Sequence, residues 1–238
     1  MTDNILALAL TAATVGTLHT VMGPDHYLPF VVMSRAGQWS RAKTLAVTLL
    51  CGVAHVLSSV VLGIVGIAAG LAVGRLVEIE SARGQWATYG LIAFGLIYFL
   101  WGLRRAWRNR PHTHFHLHAD GTTHAHTHHH DDAHLHVHES QPSGATLTPW
   151  VLFTIFIFGP CEPLIPLVMY PAARHSVSGV ILVTSVFGIA TLATMTICVL
   201  TLQRGIQKLP LAHLERYTHA AAGAALVLCG LMIQLLNL

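Results

Sequence analysis

The stretch HTVMGPDHYLPF, residues 19–30, lies inside an apolar run that begins at Ile5 and continues to Met33. Two histidines, an aspartate and a Gly-Pro pair are each unwelcome in such a run. Proline removes a helical hydrogen bond and clashes with the preceding turn, so Gly23-Pro24 predicts a break with freed backbone carbonyls. Irregular backbone at membrane depth is tolerated where it is buried in protein or lines a cavity. The stretch therefore reads as a site, and the remainder of the chain decides its kind.

The surrounding composition is that of a membrane protein. Of 238 residues, 53% are hydrophobic and 10% charged, and the mean hydropathy is +0.59. Ala46–Val73 and Ser176–Gln203 contain no charged residue. Both exceed the roughly 20 helical residues that cross a hydrocarbon core. Six spans are expected, near 5–33, 45–73, 86–107, 148–171, 178–203 and 217–237. The N-terminus MTDN has no basic segment before the first run, which reads as a retained span and not a signal peptide. The four cysteines, Cys51, Cys161, Cys198 and Cys229, all fall inside these spans and form no extracellular disulfide framework.

Ten basic residues (Arg35, Arg41, Lys43, Arg104, Arg105, Arg108, Arg110, Arg204, Lys208, Arg216) fall in the connections after spans one, three and five. Arg75, Arg83 and Arg174 are read on the other side. The positive-inside rule places the odd-numbered connections in the cytoplasm of a cell (inner) membrane and both termini outside. These loop bases account for the pI near 8.8 without a nucleic-acid partner.

The opening stretch has an internal counterpart. GPDHYLPFVVMSRA (23–36) aligns with GPCEPLIPLVMYPAA (159–173), which sets Asp25 against Cys161 and His26 against Glu162. CGVAHVLSS (51–59) aligns with FGIATLATM (187–195), Gly52 with Gly188 and His55 with Thr191. A three-helix unit repeated in tandem must insert its second copy upside down, the plan of many secondary transporters with sites on broken helices near the midplane. The expected fold is an all-α polytopic membrane protein of six transmembrane helices, two inverted three-helix repeats broken at their Gly-Pro motifs. Residues 1–110 form the first repeat, 111–146 a His-rich cytoplasmic loop and 147–238 the second repeat.

Asp25 and Glu162 are the only carboxylates within the six apolar blocks, and an ionisable group there costs about 2.5–3.5 kcal/mol on insertion scales. Two carboxylates joined by neutral His19, His26 and His55 suit a divalent cation. Cys51 lies one helical turn before His55, on the same face. Mixed nitrogen and oxygen donors with thiols nearby point to a first-row transition metal. The candidate ligands are His19, Asp25, His26, Cys51, His55, Cys161 and Glu162. Twelve of the eighteen histidines fall within 112–138, mostly in H-x-H alternation. That composition reads as a disordered, metal-binding cytoplasmic tract.

The motifs HTVMGPDH (19–26), CGVAH (51–55) and FGPCEP (158–163) resemble those of the nickel/cobalt transporter family and its exporter relatives. That family belongs to a superfamily with lysine exporters, sulfite-exporter-like proteins and thiol-electron carriers. The resemblance implies a metal pathway lined by His19, Asp25, His26 and His55. The chain departs from the family pattern in having one more residue between His19 and the Asp25-His26 pair, and in the Cys161-Glu162 pair of the second half.

The expected function is secondary transport of a divalent transition metal, nickel or cobalt first, by export and with proton coupling. The chain has no P-loop motif and reads as no enzyme. It needs no resident cofactor: the metal ion is its cargo and the lipid bilayer its other partner, with homo-oligomer formation left open. Import through the same site and a membrane thiol–disulfide electron carrier are the alternatives. The carrier would need a second cysteine where the repeat places Asp25.

Overall fold

The computed structural model describes residues 2–108, 112–117, 123–128, 147–174, 176–207 and 212–236. Helix α1 (Thr2–Met22) stops where the opening motif requires. Gly23, the residue before Pro24, is extended (φ −88°, ψ 97°), as the clash with a following proline ring dictates. A single 3-10 turn, Pro24–His26, leads into α2 (Leu28–Ala36), and the chain bends by 86° across the break. Next come α3 (Arg41–Ala68) and α4 (Val73–Arg108). Ser40 caps α3 by accepting the Lys43 amide at 3.2 Å. At its far end, Leu71 N–H donates to Gly66 O and Gly70 N–H to Ile67 O, with Gly70 left-handed at φ +69°. This Schellman closure favours glycine at that position.

The second half repeats the pattern. Helix α5 (Leu147–Phe158) ends at Gly159-Pro160, α6 (Leu164–Ala173) resumes after Pro163, and α7 (Val177–Gln207) follows. A 3-10 turn, Ala212–Tyr217, then precedes α8 (Thr218–Leu236). Both Gly-Pro motifs therefore lie at helix breaks.

Among the described residues, four helices are long and apolar enough to cross a membrane: Arg41–Ala68, Val73–Arg108, Val177–Ile206 and Glu215–Leu236. The bent pair Leu6–Met22 and Pro24–Ala36 makes a fifth if counted as one span. Thr148–Phe158 and Leu164–Ala173 are apolar but individually short. Ile181, Ile189 and Ile197 on α7 and Leu57, Val61 and Ile64 on α3 point outward. Contiguous apolar exteriors of this kind fit lipid better than water.

Two expectations need correction. The third span, expected to start near 86, begins at Val73, so Glu80 and Arg83 lie within a helix and not in a connection. The tract expected to be disordered contains two strands, β1 (His112–Leu117) and β2 (Thr123–His128), paired antiparallel with His112 opposite His128, His114 opposite His126 and His116 opposite His124. The H-x-H alternation has the period of a strand, which composition alone conceals. The rest of the tract lies outside the described residues.

Packing pairs the halves with each other. Helix α1 packs on α7 and α5 on α3; α2 touches α7 and α8, and α6 touches α3 and α4. Helices α4 and α8 share the most extensive interface and run antiparallel, with Gly95 and Phe99 against Gly223, and Gly102 against Ala220. A Cβ on Gly223 would collide with the backbone of Phe99, so these glycines set how closely the helices approach. Between α3 and α7 the contacts are reciprocal: Gly52 receives Leu192 and Gly188 receives Val56.

Candidate metal centre

The break after α1 brings three histidines together. His19 lies in the last turn of α1, His26 closes the 3-10 turn, and His55 comes from the middle of α3. One ring nitrogen from each lies within 4.8 Å of the others. The rings meet edge to face, with centroids 4.7 Å apart for His19 and His26 and 5.1 Å apart for His26 and His55. His26 and His55 are buried.

Hydrogen bonding fixes which nitrogen carries the proton in two of the rings. His26 Nδ1 lies 3.1 Å from both Gly23 O and Asp25 Oδ1. His55 Nδ1 makes a longer contact of 3.4 Å to Phe156 O. A carbonyl only accepts, so Nδ1 carries the proton in both rings and Nε2 presents a lone pair. His19 Nε2, His26 Nε2 and His55 Nε2 are all buried without a hydrogen-bond partner. An unsatisfied buried polar atom costs about 1–3 kcal/mol; three in one histidine cluster call for a common ligand. Imidazole ligands held through Nδ1–H by a carboxylate or backbone carbonyl are the usual second-shell arrangement of metal sites. Bonds of about 2.0–2.1 Å to each nitrogen would require the three rings to draw closer together around an ion.

Space is present on one side. A cavity of about 610 Å³ is lined by His19, Asp25, His26, Ser81, Gln85 and Glu162, among others. A second pocket of about 30 Å³, room for a water or an ion, touches Asp25, His26, His55, Phe156 and Gly159. Further along α4, at Leu91, the cavity gives way to a packed apolar cluster that includes Phe30, Leu152, Phe156, Met195 and Leu226. The rings of Phe30 and Phe156 lie 4.6 Å apart there.

The expected ligands are thus divided. His19, His26 and His55 converge. Asp25 stands behind His26 as its acceptor, with its side chain 31% exposed toward the cavity. Glu162 lines that same cavity. Cys51 and Cys161 do not join the histidines. Cys51 is wholly buried in the cluster with Phe30 and Met195, and Cys161 in another with Ala12, Leu164, Val183 and Phe187.

One charged pair was missed. Glu80 is fully buried, and its Oε2 lies 2.8 Å from Arg83 Nη2. Arg83 Nη2 also donates to Ser59 Oγ at 2.7 Å and to Gly159 O at 2.9 Å. The available signal was the i,i+3 placement of opposite charges on one helix face. With the third span expected to start near 86, both residues fell in the connection before it. No protein-family model, no curated protein and no solved structure matches this chain.

Proposed function

We propose that this protein is a secondary transporter of a divalent transition metal, with His19, His26 and His55 as its ligands. The observation that carries the reading is the cluster of three histidines, one ring nitrogen from each within 4.8 Å of the others and each Nε2 buried without a partner among the described residues, at a helix break beside a cavity. Neutral imidazoles suit nickel, cobalt, zinc, copper and iron over calcium or magnesium. The nickel/cobalt resemblance puts those two ions first. Asp25 supplies negative charge next to the site without occupying a coordination position. Metal entry would displace protons from any charged ligand, since bound imidazole must be neutral.

The architecture proposed is six spans in two inverted repeats, with α1–α2 and α5–α6 each counted as one broken span. The exchange of packing partners between halves supports it, as does the reciprocal seating of Leu192 on Gly52 and Val56 on Gly188. With the basic connections in the cytoplasm, the cavity opens to the outer face. The Phe30–Phe156 cluster then closes the inner face, the side of the histidine-rich connection. Such an outward-open cavity would release ions in an exporter, whose connection would gather cytosolic ions, and would load them in an importer using the same site.

The alternative of a thiol–disulfide carrier receives no comparable support, because the cysteines are free and Cys51 and Cys161 lie in separate apolar clusters. The test is metal-resolved efflux from cells loaded with nickel, cobalt or zinc, normalised to protein in the membrane. Expression should speed efflux of at least one metal, and His26→Ala should abolish the gain. Equal efflux with and without the protein for every metal would refute the reading.

A further inference from the structure

The Glu80–Arg83 pair takes no part in the site described above, yet it is among the most deeply buried charge in the described residues. Glu80 is fully buried, and among the described residues Glu80 Oε1, Glu80 Oε2 and Arg83 Nε lack hydrogen-bond partners. Removing one partner of such a pair strands a buried charge, and replacing the pair by apolar groups is often neutral or stabilising. Fold stability therefore gives little reason for its presence. Its contacts do give one.

Arg83 Nη2 ties two places together. Ser59 is four residues beyond His55, one turn along the same face of α3. Gly159 is three residues beyond Phe156, whose carbonyl accepts from His55 Nδ1. The guanidinium thus spans from the helix that carries His55 to the chain end that orients its ring. The surroundings leave little play: a Cβ on Gly159 would lie 3.0 Å from His55 Nδ1, and one on Gly84 would lie 2.5 Å from the Pro160 ring. The first break is served differently. Gly23 O is satisfied locally, by His26 Nδ1 and the His26 amide, and needs no cation from another helix.

We propose that Arg83 is a positioning residue for His55, a guanidinium brace between Ser59 and Gly159 that holds the Phe156 carbonyl against His55 Nδ1, with Glu80 as its buried counter-ion. The proposal rests on the reading of His19, His26 and His55 as a metal site. A single guanidinium nitrogen, Nη2, donates to both acceptors; lysine would have to bring a compact ammonium to the same point on a shorter side chain.

The test uses the full-length protein in nanodiscs, with 15N-labelled histidine. The His55 signals are assigned by their loss in His55→Gln. Two variants are compared with the wild type: the net-neutral double Glu80→Gln/Arg83→Met, and Arg83→Lys. Without metal, the His55 Nδ1 resonance should move in both variants as its bond to Phe156 O loosens. Cobalt is then titrated on the same His55 signals, which the twelve histidines of the connection do not contribute to. The double variant should bind about 10–100-fold more weakly, the usual cost of disturbing a ligand's outer support. If the double variant fails to fold, Arg83→Lys carries the test alone. A His55 resonance that stays put in the folded variants overturns the brace. A resonance that moves in a protein whose wild type binds none of cobalt, nickel or zinc leaves the brace standing and removes the metal reading.

Discussion

Replacing Asp25 by Asn keeps the shape of the side chain and removes the charge behind His26. In the structure Asp25 Oδ1 lies 3.1 Å from His26 Nδ1, with Gly23 O sharing the same proton. The asparagine oxygen can still accept, so the ring keeps its tautomer, but it loses a charge-assisted bond and the anion nearest the ion. Loss of a second-shell partner of this type costs about 10–100-fold in metal affinity. Binding to the native state stabilises by RT ln(1 + [L]/Kd), about 2.7 kcal/mol at 100 times the wild-type Kd. At that metal concentration the variant should retain only about 1.4 kcal/mol for a tenfold loss and about 0.4 kcal/mol for a hundredfold loss. The assay is thermal unfolding in detergent, followed by circular dichroism, with and without nickel or cobalt. The histidine-rich connection is identical in both proteins, so any metal it takes up cancels and the difference isolates the core site. Full metal-dependent protection in Asp25→Asn would refute the role given to Asp25. Full protection in His55→Ala would refute the three-histidine site itself.

Gly223→Ala should lower the melting temperature, because its methyl group meets the Phe99 backbone and forces α4 from α8 at a cost of about 1–3 kcal/mol. Gly70→Ala meets no neighbour but must adopt φ +69°, so a smaller loss of about 1 kcal/mol is expected in the same unfolding assay. Cys161→Ser buries a hydroxyl in an apolar cluster and should destabilise by about 1–3 kcal/mol while leaving metal-dependent protection unchanged; a changed metal preference would return the thiol to the ligand set. Deleting residues 112–138 should reduce the number of ions bound per chain, measured by elemental analysis, and leave the His55-dependent protection intact.

The parts legible in the sequence are those where one residue type has one physical consequence. Proline after glycine can only break a helix, and both breaks lie where Gly23-Pro24 and Gly159-Pro160 put them. Histidines beside such a break have few neighbours to choose from, so His19 and His26 were placed together by chain distance alone, and His55 by its apolar surroundings. The thiols were not legible, because Cys is chemically a ligand and physically a small apolar residue. Which role applies depends on whether its Sγ faces imidazoles or, as at Cys51 and Cys161, leucine, phenylalanine and methionine carbons. Glu80 and Arg83 failed for the opposite reason. A charged residue near a predicted membrane boundary is ordinarily solvated, and hydropathy cannot tell a loop from a helix whose opposite charges neutralise each other at i,i+3. The decisive facts, Gly159 O and Ser59 Oγ waiting for a donor, belong to segments 76 and 24 residues away from Arg83. A backbone carbonyl freed by a proline leaves no mark on the sequence at the position of the residue that satisfies it. An arginine inside a long helix is therefore best judged by asking which broken helix in the same chain still lacks a donor.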